Sequence, residues 1–193
     1  RTGTLALPEA GCYTALVSRI RRGYEARFRA RLRQARARRL EQGVQWLVAR
    51  ARSRSAREGI PLTEALSAVY EQLAARIPIA KPNPAPADIR FLCDAGLGGL
   101  ARWLRAAGYE ADWQPHIADD ELLRQARAIP AIVLTTDGML MERRLLRDGI
   151  IPSFWLPPTL SIAEQLALVV REFGLTLRGP RCMSCGGELR PVL

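Results

Sequence analysis

The chain has 193 residues, of which 48% are hydrophobic and 25% charged, and its formal net charge is +10. That balance allows a buried core, and the length suggests one domain with a substantial extension or two small domains. No apolar run approaches the ~18 residues of a membrane span and no signal-peptide pattern is present, so no membrane partner is expected; the sparse, scattered cysteines suit a reducing, cytoplasmic setting. The sequence opens on Arg1 rather than Met, so a longer natural N-terminus is also expected.

The charge is unevenly placed. Residues 1–80 hold 16 arginines against six glutamates, a difference of +10, whereas residues 81–193 hold 13 basic and 13 acidic residues. All the excess lies in the first part, which suits an appendage for a polyanion such as nucleic acid. A solvated helical face is the plainer reading, since 28 of the 29 basic residues are arginine.

Residues 1–12 read as an irregular entry carrying Gly3, Pro8 and Gly11. From about Tyr13 to Ser55 the pattern is helical, with Ile20, Tyr24, Phe28 and Leu32 recurring every four residues and Leu40, Val44 and Leu47 continuing the stripe. Arg19, Arg22, Arg29, Arg33, Arg36, Arg38 and Arg39 surround it, so Arg29, Arg33 and Arg36 are candidate phosphate contacts. Aromatics are few on the basic face, so stacking on single-stranded bases is not expected. Pairing of this long helix with a protein partner or a second copy is the alternative. A second helix is expected from Thr63, as N-cap, to Arg76, making an antiparallel hairpin with the first. Four prolines in residues 78–88 then read as a semi-rigid linker. The expected division is a basic helical extension at 1–77, the linker at 78–88, an α/β domain at 89–177 and a cysteine-bearing tail at 178–193.

From Ile89 short apolar runs alternate with helical patterns, which predicts a parallel sheet with crossover helices. Strands are expected at 89–94, 109–113, 131–136 and 151–156. Helices are expected at 98–107, 120–128, 139–147 and 162–173, the last opened by a capping box of Ser161 and Glu164.

Asp94 ends the first of these strands and Asp137 the third, and in a parallel sheet both fall on one edge. Asp119, Asp120 and Glu121 open a helix whose first turn can face that edge. Converging carboxylates there would make a hard-oxygen site for magnesium or manganese. Each also reads as a helix cap or a turn residue. Arg102 and Arg105, on the helix after Asp94, would position phosphate or pair with local carboxylates. His116 has no motif partner, and Trp103 reads as core. Gly96, Gly98 and Gly99 fit neither the P-loop nor the dinucleotide fingerprint, so nucleotide cofactors are not expected. No serine or cysteine stands in a nucleophile motif, which leaves covalent hydrolase chemistry without support.

Four cysteines are too few and too scattered for a disulfide framework. Cys12 and Cys93 read as buried small hydrophobes. Cys182 and Cys185 form C-x-x-C followed by two glycines, one knuckle of a zinc ribbon. The sequence holds no second pair, so zinc is expected only if the other half of the ribbon is supplied.

Five segments occur in one order: FLCDAGLGGLARWLRAAGY, DDELLRQAR, VLTTDGML, the EQL of IAEQLALVVREFGL, and RCMSCGGEL. Together they resemble the PIN-like RNase family of the Mut-seven C-terminal type. The resemblance implies a PIN-like three-layer α/β/α fold and metal-dependent hydrolysis of RNA, with a zinc ribbon appended. It makes residues 89–177 the nuclease domain and 178–193 part of the ribbon. It gives Asp94, Asp119 and Asp137 the catalytic, metal-binding roles, with Asp120 the alternative to Asp119 by a one-residue slip. Glu142 and Asp148 are the remaining candidates for a fourth acidic residue. Gly99 and Thr136 stand where the family often has basic residues, and the arginine-rich helices lie outside the resemblance. A non-catalytic nucleic-acid-binding or protein-interaction module of the same fold is the competing expectation.

Overall fold

The computed structural model describes residues 10–77 and 89–189. The linker assigned to 78–88 and the Cys12 side chain lie outside the described residues.

The helix expected across 13–55 is two helices, α1 (Ala10–Gln34) and α2 (Leu40–Glu58). The chain reverses between them without proline or glycine, through Arg36 at φ 53°. An unbroken helix would leave Val44, Leu47, Val48 and Ala51 with nothing to cover them. The reversal folds them onto Ile20, Tyr24 and Phe28, and all seven are buried. Gly43 permits the close approach, since a Cβ there would lie 2.9 Å from a Leu32 methyl. Gly59, left-handed at φ 65°, caps α2. The third helix, α3 (Leu62–Arg76), follows Pro61, so Thr63 stands inside it and is not its cap. The basic extension is thus three packed helices and not a two-helix hairpin.

Four strands follow: β1 (Arg90–Cys93), β2 (Glu110–Trp113), β3 (Ile132–Thr135) and β4 (Ser153–Trp155). All pair in parallel, in the order β2-β1-β3-β4. Between them lie α4 (Gly98–Ala106), α5 (Asp119–Ala128) and the short α6 (Arg144–Arg147), and α7 (Ile162–Phe173) closes the layers. The expected helix at 139–147 is interrupted: a 3₁₀ turn at Leu140–Glu142 precedes α6, because Arg143 between them is extended at ψ 133°. The Ser161–Glu164 capping box on α7 forms as expected.

Side-chain alternation along the strands feeds two cores. Phe91, Cys93, Leu134 and Phe154 pack with α4 and α7. Leu92, Val133 and Trp155 point the other way, toward Leu122 and Leu123 of α5, Leu146 of α6 and the buried faces of α1–α3. The architecture is therefore a three-layer α/β/α sandwich, and the basic helices form part of one outer layer. Contact is tight: a Cβ on Gly23 of α1 would fall 2.0 Å from the Trp155 ring. At the far end Arg31 of α1 donates both to Glu172 of α7, at 2.8 Å, and to the Tyr70 hydroxyl of α3. Trp103, expected in the core, is 52% exposed, while α4 buries Leu100, Ala101, Leu104 and Arg105.

Candidate carboxylate metal site

The connection leaving β1 runs through α4 to β2, and the one leaving β3 runs the opposite way, through α6 to β4. Their helices lie on opposite faces. Adjacent strands whose connections diverge open a crevice at their carboxyl ends. Asp94 and Asp137 stand at that crevice, each just beyond its strand.

Thr135 joins the two. Its fully buried hydroxyl donates to Asp94 Oδ2 at 2.6 Å and accepts the Asp137 amide at 2.9 Å. Asp94 Oδ1 accepts the Ala95 amide at 2.6 Å, and Asp137 Oδ1 accepts the Met139 amide at 2.7 Å. Both carboxylates do the local turn and cap work that was the plainer reading of each. The loops carrying them are pinned by indoles: Trp113 donates to the Ala95 carbonyl and Trp155 to the Thr136 carbonyl. Thr135 was not singled out in the sequence. Its signal there is a polar residue closing an otherwise apolar strand.

Asp119 opens α5. Its carboxyl is pushed above the ordinary range by partial burial, then by the charges of Asp137 and Asp94, with Arg143 opposing. The three aspartates therefore share one field, and among the described residues no donor holds the Asp119 carboxylate. Asp120 is instead engaged by Arg143. Glu142 pairs with Arg22 at 3.3 Å, and Asp148 with Arg147 and Arg144. Among the described residues no group of three His, Cys, Asp or Glu side chains is drawn to metal-holding spacing. Asp94, Asp119 and Asp137 are carboxylates, the hard-oxygen donors that could hold a magnesium or manganese ion.

The glycine-rich turn serves packing. A Cβ on Gly98 would meet the Trp113 ring at 2.7 Å, and one on Gly99 would meet an Ile162 methyl at 2.5 Å. Arg102 is exposed. Arg105, expected at phosphate, is buried: it donates to the carbonyls of Ala111, Met183 and Ser184 at 2.7, 3.0 and 2.6 Å. Of the helical arginines, Arg29 grips Glu41 with two nitrogens, and Arg33 donates to the Arg147 carbonyl at 2.8 Å. Arg36 is exposed at the turn between α1 and α2.

The segment that Arg105 holds is the cysteine knuckle. Gly186, at φ 76°, returns its amide to the Cys182 carbonyl, and Cys182 donates to the Gly187 carbonyl, both at 2.8 Å. Backbone N–H groups of Cys185 and Ser184 pull the Cys182 thiol below its ordinary range. A turn of this kind could present two thiolates to a metal, half of the four ligands that a zinc ion would need.

Among the described residues no helix is long and apolar enough to cross a membrane. No curated protein and no solved structure matches the chain. The model of the Mut7-C RNAse domain matches residues 89–193, the segment that carries the whole sheet, all three aspartates and the knuckle. That match spans more than half of the chain: the chain belongs to the Mut7-C RNAse domain family.

Proposed function

We propose that this chain is a metal-dependent ribonuclease acting at the carboxyl edge of the sheet. The observation that carries the reading is the placing of Asp94 and Asp137 at the ends of adjacent parallel strands, joined through the Thr135 hydroxyl; Asp119, raised first by partial burial and then by their charges, lies within their field. A site that gathers several carboxylates into one field is arranged for a cation. Asp94, Asp119 and Asp137 would hold magnesium or manganese, which when bound supplies charge neutralisation at the phosphodiester and a more acidic water. The chain's own part is positional. The Thr135 hydroxyl fixes one Asp94 oxygen, the Met139 amide fixes one Asp137 oxygen, and the exposed Arg102 stands ready for a substrate phosphate. Zinc would join only where a second pair of ligands completes the knuckle of Cys182 and Cys185.

A non-catalytic RNA-binding or protein-interaction module of the same fold is the second reading. It is favoured by one observation, the absence of a closed three-ligand group among the described residues. Cleavage of labelled RNA with manganese, by the chain and by its Asp94→Asn variant, separates the two. Cleavage by the parent alone supports the nuclease. RNA binding without cleavage by either supports the module, and equal cleavage by both removes Asp94 from the site.

A further inference from the structure

A carboxylate site repels the polyanion it acts on, so cations must stand beside it to hold substrate phosphates. Within the matched segment, Arg105 is buried on backbone carbonyls and Arg143 is engaged by Asp120. Helix α1, outside that segment, reaches the same edge. Its backbone lies directly on the turn after Asp137: a Cβ on Gly138 would fall 2.3 Å from the Arg19 carbonyl oxygen and 3.2 Å from the Gly23 nitrogen. Glycine at 138 is what lets the helix sit there. One turn along, the Arg22 guanidinium contacts the Met139 sulfur and pairs with Glu142 at 3.3 Å.

Two cationic residues of α1 thus stand at the turn that follows Asp137. Arg22 is half-buried and anchored to the 139–142 segment. Arg19 is exposed and has no acidic partner among the described residues; the nearby Glu25 is engaged by Arg21.

We propose that α1 supplies a wall of the substrate site, with Arg19 the residue that binds an RNA phosphate beside Asp137 and Arg22 its partly neutralised neighbour. The proposal rests on the ribonuclease reading for its substrate class. It does not rest on turnover, because it concerns binding. It assigns part of the basic extension to the active edge and not to a remote surface.

The test is binding of labelled single-stranded RNA across a salt series, with every variant built on Asp94→Asn so that nothing is cleaved. Arg19→Ala weakens binding by roughly tenfold and lowers the slope of log affinity against log salt by about 0.7, and Arg19→Glu weakens it further. Arg52→Ala, which removes an exposed arginine of α2, leaves affinity and slope within about twofold of the parent. With Asp94 intact and manganese present, Arg19→Ala raises KM and leaves kcat nearly unchanged, the signature of ground-state phosphate binding. Unchanged affinity in Arg19→Ala overturns the proposal, and so does an equal loss in Arg52→Ala. Failure of the parent to cleave RNA, with the Arg19 effect on binding intact, overturns the nuclease reading and leaves the wall standing. Absence of RNA binding altogether overturns both.

Discussion

The Thr135 hydroxyl donates to Asp94 at 2.6 Å while accepting the Asp137 amide, so the end of β3 sets the orientation of the carboxylate at the end of β1. Because Thr135 is fully buried, that hydroxyl has no water to turn to. The two strand ends are coupled through one oxygen.

Thr135→Val keeps the shape and removes the hydroxyl. One oxygen of Asp94 loses its donor and the Asp137 amide loses its acceptor, which costs about 1–2 kcal/mol of stability. RNA cleavage with manganese falls by roughly 10–100-fold, the range for losing a group that orients a metal ligand. Thr135→Ser restores most of both. A Val variant with parental cleavage and an unshifted denaturation midpoint would show that the bridge orients nothing.

The helical layer is clamped to the sheet by a buried pair. Arg31 and Glu172 expose only 6% and 7% of their side chains, and the Tyr70 hydroxyl donates to the same carboxylate at 2.7 Å. Glu172→Ala leaves a buried guanidinium without its counter-charge and destabilises the chain by about 3–5 kcal/mol. Replacing both partners, as Arg31→Met with Glu172→Leu, recovers most of that loss because neither charge then needs solvating. Denaturant midpoints of the three chains decide it. A loss below about 1 kcal/mol in Glu172→Ala would mean that α1 and α7 are not held through this pair.

Much of this was legible because the parallel sheet writes itself as short apolar runs, and because Asp94 and Asp137 sit where such strands end. The break after Gln34 was not legible: Arg36 takes a left-handed conformation that nothing in its own side chain requests. The reversal exists for the sake of Val44 and Leu47, whose need for cover is a tertiary fact. Buried arginines were the other blind spot. Arg27 lies under three aromatic rings, with its guanidinium carbon 3.6 Å from the Tyr70 centroid, and its Nε and Nη2 have no hydrogen-bond partner among the described residues. Arg105 turns inward because its acceptors arrive from Met183 and Ser184, far along the chain. A charged residue on an amphipathic helix reads as surface until its partners are known. Asp119 fell between these cases. Its place at the helix start was visible, whereas its coupling to Asp94 and Asp137 needed the fold.

Arg105 carries the knuckle's attachment to α4, and Arg105→Met should release it. Three carbonyls lose a charged donor at once, which costs about 2–4 kcal/mol. The effect is local before it is global. Exchange of the Cys182 and Gly186 amides, which close the knuckle turn, accelerates more than exchange of the β1 amides. Uniform acceleration across both would show that Arg105 supports the core and not the knuckle.

Cys93 gives the chain an alkaline limit. Burial pushes its thiol from 9.0 up to about 12, helped by Asp112 and Asp94 and opposed by Arg105. The folded state therefore favours the protonated thiol. Its contribution to stability is complete below the unfolded pKa, near 9, and is lost as pH rises toward the folded value. Across that window the loss approaches about 1.4 kcal/mol per pH unit for a single fully buried group. Tyr70, whose phenol burial also pushes upward, adds to the same trend. Comparing slopes isolates the thiol: Cys93→Ala starts lower at neutral pH, from the small cavity it leaves, but falls more gently between about pH 9 and 11. Denaturant midpoints measured across that range are the check. Parallel slopes for the parent and Cys93→Ala would mean that the thiol ionises without unfolding the sheet, and that the carboxyl end of β1 is wetter than its packing indicates.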